Sequence, residues 1–393
     1  MRISLVSFLF LLWYSTLMAQ EKGAKQVDTF FYQKPLIPEL KQKLLSNISV
    51  IANMQSSLRN EFTDGEYTRG RFIMNQFRLE IKGKIHDRVY FRFRDRYTKQ
   101  TTPQSEDNMS SSTDLAYVQV LATDKLNFSI GKLCADWGGI EFDLNPIDIY
   151  QYSDIIDNSD NFLLGMGLGY QVSEKHSFSF QALNSRTRTF QEIYGTVPGI
   201  TESRFPIAGV VNWRGNMFDG KWKTIWSYSI FKEAQSTYMH YLALGNQLDF
   251  GRLQFAYDLK YSKEDLDRKG IVSGFIPDVG GAHHAAQDVA YLSHWIKLDY
   301  QVIPRLNLAF VGFVDFAYWS GNPDPQKNKK LRTAWGFIPT VEYFPFKDLN
   351  LKFFANYVGR VYNYTQYAKD VLGQKNGNTG VISLGIVSPL HVL

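Results

Sequence analysis

Residues 88–97 read RVYFRFRDRY, so Arg88, Arg92, Arg94 and Arg96 share one parity while Val89, Phe91, Phe93 and Tyr97 occupy the other. A guanidinium stays ionised at any relevant pH and presents a planar fork that matches carboxylates and phosphates. On an extended segment, same-face residues stand about 6.6 Å apart, which makes the four arginines a ladder of fixed positive charge. Arg78 and Lys82, on an alternating segment just upstream, lie beside it. A ladder of this kind along a passage would draw anions in and turn cations away.

The elements that carry these residues alternate throughout the chain. In 72–82, Ile73, Asn75, Phe77, Leu79 and Ile81 alternate with Met74, Gln76, Arg78, Glu80 and Lys82. In 252–261, Leu253, Phe255, Tyr257, Leu259 and Tyr261 alternate with Arg252, Gln254, Ala256, Asp258 and Lys260; the stretch 349–360 behaves likewise around Phe353, Ala355 and Tyr357. A period of two is the strand period, and a helix would repeat every 3.6 residues. Such segments are expected near 47–61, 72–83, 88–98, 114–123, 126–133, 165–172, 176–184, 206–213, 222–231, 238–250, 253–261, 288–301, 306–319, 332–344, 349–362 and 379–390, about sixteen strands in all. Their connections alternate in length. KIHD, TDK, SEK, DFGR, VIPR and PFKD are short, whereas the segments around 98–113, 134–164, 185–205, 262–287, 320–331 and 363–378 are long.

Hydrocarbon offers no hydrogen-bond partner, so a sheet that crosses it must close on itself. An even number of strands of about ten residues, oily on one face, with short turns at one end and long loops at the other, is the pattern of a transmembrane antiparallel β-barrel. The fold expected is therefore all-β, a barrel over 47–393. A charged group on the lipid face at mid-depth costs roughly 2–4 kcal/mol, which turns the arginines of 88–97 toward the lumen.

The third loop at the long-loop end, near 134–164, is expected to constrict that lumen. Between Leu133 and Glu174 the chain carries Asp136, Glu141, Asp143, Asp148, Asp154, Asp157 and Asp160 and neither Lys nor Arg. Two arrangements follow. If these acids pair with the ladder, the pore is weakly selective; if they sit above the constriction, the arginines remain available to anions.

Composition narrows the class. Of 393 residues, 15% are aromatic and 44% hydrophobic, and a net charge of +5 from 43 basic and 38 acidic residues gives no case for a nucleic-acid partner. The single Cys134 excludes an internal disulfide framework and is read as a free thiol. Arg2 followed by ISLVSFLFLLWY and STLMAQ reads as a signal peptide over 1–19, and 20–46 as a periplasmic lead-in too short to plug a barrel. Beyond residue 19 no apolar run is long enough for a spanning helix. His240 and His294 fall on oily parities without a nucleophile and base pairing, and no phosphate loop or dinucleotide fingerprint is present, so neither enzyme nor cofactor is expected. His283 and His284, with Asp278 and Asp288 nearby, read as an ordinary solvated loop and not a metal site. Trp222, Trp226, Tyr257, Tyr261 and Tyr300 read as interfacial aromatics. Pro389 is expected to shorten the last strand to 381–388, and Leu393 stands where such barrels commonly end on an aromatic residue.

The stretches GRFIMNQFRLEIKGKIHDRVYFRFRDRY (70–97), GKLCADWGGIEFDLNPIDIYQYSDII (131–156) and MGLGYQVSEKHSFSFQALNS (166–185) resemble the phosphate-selective porin O/P family, in particular its Bacteroidetes branch. The resemblance rests on Arg78, Leu79, Ile81, Lys82, Gly83, Lys84, Ile85 and Asp87 in the first hairpin and on Gly131, Lys132, Gly138 and Glu141 further on, with Asp136 and Trp137 where the family often has Pro and Phe. It implies a sixteen-stranded barrel in outer-membrane lipid, usually a homotrimer, passing small hydrophilic or anionic solutes by diffusion. The alternative of another class is a non-conducting barrel that acts through its long loops as an adhesin or as a partner in an envelope complex.

Overall fold

The computed structural model describes residues 47–277, 284–322 and 329–393. The expected signal peptide and lead-in lie outside the described residues, as do Asp278 and His283. Sixteen antiparallel strands follow one another around a closed barrel in which the first pairs with the last. They are β1 (Ile48–Thr63), β2 (Glu66–His86), β3 (Val89–Arg96), β4 (Thr113–Leu121), β5 (Leu126–Cys134), β6 (Phe162–Ser173), β7 (His176–Asn184) and β8 (Ile207–Met217), then β9 (Trp222–Lys232), β10 (Tyr238–Asp249), β11 (Leu253–Leu266), β12 (Gln287–Ile303), β13 (Leu306–Trp319), β14 (Lys330–Tyr343), β15 (Lys352–Tyr364) and β16 (Gly377–His391). Each of the sixteen expected segments falls on one of them.

The burial pattern has the polarity that hydrocarbon demands. On β11 the inward Asp258, Lys260, Ser262 and Glu264 are buried, while the outward Tyr261 is exposed; on the other strands Phe72, Ile130, Trp335 and Leu384 are exposed outward. A water-soluble sandwich would bury its oily face and expose its charges. Here the lumen carries the polar face and the lipid contacts the apolar one.

Part of the lumen is nevertheless packed. Trp137 and Ile155 from the loop after β5, and Val272 and Phe275 from the loop after β11, join inward side chains of the wall such as Phe231, Tyr241, Ala317 and Trp319 in one hydrophobic cluster. The loops fold inward because these side chains would otherwise stand in water.

Three features differ from the expectation. The strands β1 and β2 run on to a two-residue turn at Asp64 and Gly65, whose φ of 50° and 85° is the left-handed pair that a tight hairpin requires. The long-loop end therefore begins with a short connection. Along β2, the register with β1 slips from Gln55 opposite Gln76 to Ser56 opposite Met74, leaving Asn75 as an extra residue. A bulge reverses parity beyond it, so Met74 (46% exposed) joins Phe72 (84%) on the lipid side instead of facing the lumen.

Finally, Pro389 does not shorten β16. Val392 donates its N–H to the Val50 carbonyl, and two-residue steps along the antiparallel pair make Asn53 and Pro389 a non-hydrogen-bonded couple. The last β15 partner of β16 is Val387, opposite Lys352, so no ladder bond is lost for want of a proline N–H.

Candidate functional site: a basic wall and an anchored loop

The expected ladder residues divide. Arg92, Arg94 and Arg96 of β3 and Arg78 and Lys82 of β2 stand together on the inward face, with Arg78 opposite Arg96 and Lys82 opposite Arg92 in the register. Arg88 lies in the turn before β3, where its guanidinium donates to the Ala122 carbonyl at 3.3 Å, at the short-turn end and outside the cluster.

Two wall carboxylates face these five cations. Glu80 lies 3.2 Å from Arg92, 3.6 Å from Lys82 and 4.0 Å from Arg94. Asp114 is fully buried and lies 3.4 Å from both Arg78 and Arg94, with Arg96 bonded to its other oxygen. Five positive charges against two negative ones leave an excess of three. The guanidinium groups of Arg94 and Arg96 also lie over the Phe162 ring, 5.3 and 5.9 Å from its centre, a contact that favours cations without neutralising them.

Asp114 was not legible as a partner, because strand parity assigns it to the lipid side with Val118 and Val120. The register between β3 and β4 slips there, from Arg94 opposite Leu115 to Asp95 opposite Thr113. Asp114 is the extra residue, and the bulge aims it inward. Glu80 had the right parity, but only the pairing register shows that it faces Arg94.

The loop between β5 and β6 enters the barrel and meets the opposite wall. It contains two single-turn helices, α1 (Ile140–Asp143) and α2 (Asp154–Asp157), and a 3-10 turn at Pro146–Asp148. Five of its acids, Asp136, Glu141, Asp143, Asp148 and Asp154, have basic partners, and none of these partners belongs to the ladder. Asp136 and Asp143 each lie 2.8 Å from Arg214 of β8. Glu141 pairs with Lys260 of β11, Asp148 lies 2.6 Å from Lys352 of β15, and Asp154 pairs with Arg332 of β14 and Arg360 of β15. The first of the two arrangements envisaged from sequence, acids against ladder, is not the one formed.

Buried hydrogen bonds reinforce the anchorage. The N–H groups of Ile140 and Glu141 donate to the two oxygens of Asp258 at 2.9 and 2.8 Å, satisfying donors that a helix start leaves open. The approach is close: a Cβ on Gly245 would stand 2.6 Å from the Ile140 nitrogen. Ser153 donates its N–H and hydroxyl to Glu141, both at 2.7 Å, and Gln55 of β1 donates to the Ile147 carbonyl at 2.9 Å. The loop thereby spans from β7 across to β1.

Tyr150, Gln151 and Tyr152 lie between these anchors. Tyr150 stacks near Phe354, with 4.7 Å between ring centres. Burial pushes the Tyr152 phenol up to about 12 against the pull of the Arg78 and Arg96 charges, so it stays a neutral hydroxyl at neutral pH. Toward the long-loop end a cavity of about 230 Å³ is lined by Arg59, Glu61, Tyr150, Gln151, Asn356 and Arg360. Here a second basic group appears: Arg59, Arg69 and Arg71 lie 3.0, 2.8 and 3.8 Å from the single carboxylate of Glu61.

Among the described residues no group of three or more His, Cys, Asp or Glu side chains is gathered as a metal site would be. His240 and His294 face outward, each bonded to a tyrosine hydroxyl, Tyr228 at 2.7 Å and Tyr257 at 2.9 Å.

The model of a family described as phosphate-selective porin O and P matches residues 48–385. A comparison with curated proteins finds no match. Among solved structures, the outer membrane channel DcaP of Acinetobacter baumannii is similar at a TM-score of 0.55 and 11% identity, over 87% of this chain and 98% of that one. Salmonella typhi OmpF in complex with daunomycin gives 0.56 and 11% over 86% and 97%, and Pseudomonas putida OprB gives 0.54 and 11% over 89% and 96%. At such identities the likeness is one of fold.

Proposed function

The chain belongs to the phosphate-selective porin O and P family and is a porin of the bacterial outer membrane, and from that premise we propose that its channel passes small hydrophilic solutes by diffusion with a preference for anions. The observation that carries this reading is the charge balance of the β2–β3 wall: among the described residues, the carboxylates that Arg78, Lys82, Arg92, Arg94 and Arg96 meet are those of Glu80 and Asp114. Five acids of the inward loop, Asp136, Glu141, Asp143, Asp148 and Asp154, are held elsewhere, so they leave that excess in place. A fixed positive field beside a passage raises the local concentration of anions and lowers that of cations. Planar guanidinium forks suit phosphate and carboxylate, which is the solute chemistry we assign. The work is passage and not catalysis.

The test is the reversal potential of single channels in a planar bilayer under a KCl gradient. Wild type should be anion-selective, and Arg92→Gln, the most exposed arginine of the cluster, should move the potential toward the cation side at unchanged loop anchorage. Cation selectivity in the wild type would sink the proposal, and silence over many insertions would favour the non-conducting barrel instead.

A further inference from the structure

The strands turn almost all their basic side chains into the lumen, but Lys232 of β9, Lys263 of β11 and Lys330 of β14 face out. Their neighbours settle the direction. Phe231, Ser262, Glu264 and Leu331 beside them are buried inward, and the outward series Tyr228 and Ile230, then Tyr261, run into the first two. Lys330 stands opposite Tyr318 in the register, with its ammonium 5.6 Å from the centre of the outward Phe316 ring. No other lysine or arginine on a described strand faces outward, and all three lie in one sector at the long-loop end.

The register arranges them in rows. His240 is opposite Lys263, Lys263 opposite Ala290, Ala290 opposite Tyr318 and Tyr318 opposite Lys330. Lys232, opposite Tyr238, begins the row above. One step toward the membrane centre lies an aromatic row from Tyr228 through Tyr261 to Phe316, the last two linked through Leu292. With strands about 4.8 Å apart, Lys263 and Lys330 stand roughly 14 Å from one another along the row. Asp265 and Asp288 share the sector, and Asp265 accepts from the Tyr238 N–H at 2.8 Å.

We propose that this β9–β14 sector of the outer wall is a docking surface for the phosphate-bearing headgroups of the lipid leaflet at the long-loop end. A lysine on the lipid face is costly at mid-depth and nearly free at the interface, so three of them at one end mark the level of the headgroups. A long lysine stem at this level can carry its ammonium to an anion layer while its methylenes stay in the apolar zone; the Lys330 ammonium lies beside the Phe316 ring just beneath that layer. The tyrosine and phenylalanine row beneath is the amphipathic belt that an acyl-chain boundary selects. The occupant is the lipid and not a second copy, because a protein partner would have to carry complementary acids, whereas every anionic lipid offers its phosphate at this depth.

The experiment uses the full chain in detergent, with short-chain phosphatidylglycerol and short-chain phosphatidylcholine as probes and native mass spectrometry as the readout. Wild type should retain the anionic lipid at least about fivefold more than the zwitterionic one, and added salt should erode the difference. Lys263→Gln with Lys330→Gln should bring the ratio near one, Lys263→Arg with Lys330→Arg should keep it, and Lys82→Gln in the lumen should leave it unchanged. Heat-modifiable gel migration checks that each variant is folded. A folded glutamine pair that retains the wild-type ratio overturns the proposal. So does a loss of ratio caused by Lys82→Gln, which would place the lipid in the pore, or a glutamine pair that alters oligomeric state and not lipid retention, which would make the sector a protein interface.

Discussion

Replacing Lys260 by methionine tests whether buried ion pairs hold the inward loop. The Lys260 ammonium contacts the Glu141 carboxylate and lies 2.8 Å from the Ser153 hydroxyl, and both charged side chains are buried. At about 3 Å and an effective dielectric near 20, the attraction is roughly 5 kcal/mol, most of it offset by the desolvation of both groups. The loss that matters is therefore the stranded carboxylate. Removing one partner of a buried pair costs about 3–5 kcal/mol, whereas an apolar or neutral replacement of both is often close to neutral. Lys260→Met should lower unfolding stability by about 3 kcal/mol or free the loop at α1, and single-channel conductance should then become larger and noisier. Lys260→Met with Glu141→Gln should recover most of the loss, because the glutamine Oε1 can still accept from the Ser153 N–H while its amide N–H donates to the Ser153 hydroxyl oxygen. Urea titration of folded barrels in lipid vesicles gives the double-mutant cycle, and bilayer recordings give the conductance. A single variant within about 1 kcal/mol of wild type with quiet, unaltered steps would refute the anchoring argument. So would a cycle without coupling.

Three further outcomes follow from named contacts. Gly245→Ala puts a Cβ 2.6 Å from the Ile140 nitrogen and 2.8 Å from Asp258, so it should dislodge α1 and change conductance with little effect on the barrel wall, as judged by heat-modifiable migration. In the loop between β7 and β8, Glu192 accepts from the Thr189 hydroxyl and N–H and from Ser105, and these bonds hold its carboxyl below the ordinary range. A depressed carboxyl stabilises above its unfolded value and loses that contribution as the pH falls through its folded value. Proteolysis of this loop should thus rise on acidification from neutral to below about pH 4, and Glu192→Gln should flatten the dependence. Pro389→Ala should leave barrel stability within about 0.5 kcal/mol, measured by urea titration, because the proline sits where no ladder bond is due.

The barrel was legible because its cause is repeated on nearly every strand. One oily and one polar parity, with turns of unequal length at the two ends, follow from lipid outside and water inside. The failures lie where the period of two breaks. The Asn75 bulge turned Met74 to the lipid and the bulge at Asp114 turned a carboxylate to the lumen; neither slip leaves a mark in hydropathy. Arg88 carries the right parity but falls in the turn, a difference of one residue at a strand end. Pairings such as Asp154 with Arg360 join positions 206 residues apart, and no local pattern encodes how a loop lies across a lumen.

The charge arrangement makes more physical sense than either alternative the sequence suggested. A loop that crosses a barrel must hold many side chains in place against water, and ion pairs do so firmly only when both partners are desolvated. Glu141 with Lys260 meets that condition, both side chains being buried, and Asp154 with Arg360 comes near it, with side chains 14% and 5% exposed. The β2–β3 wall, which supplies none of these anchors, has the opposite need. Arg92 there keeps a solvent-facing guanidinium although Glu80 touches it, because two carboxylates cannot saturate five cations. Had the loop acids paired with this ladder, the same contacts that fixed the loop would have cancelled the field. Anchoring on Arg214, Lys260, Lys352, Arg332 and Arg360 separates the two tasks: it spends the loop's negative charge on those residues and leaves the positive excess of the β2–β3 wall uncancelled, as the proposed anion preference requires.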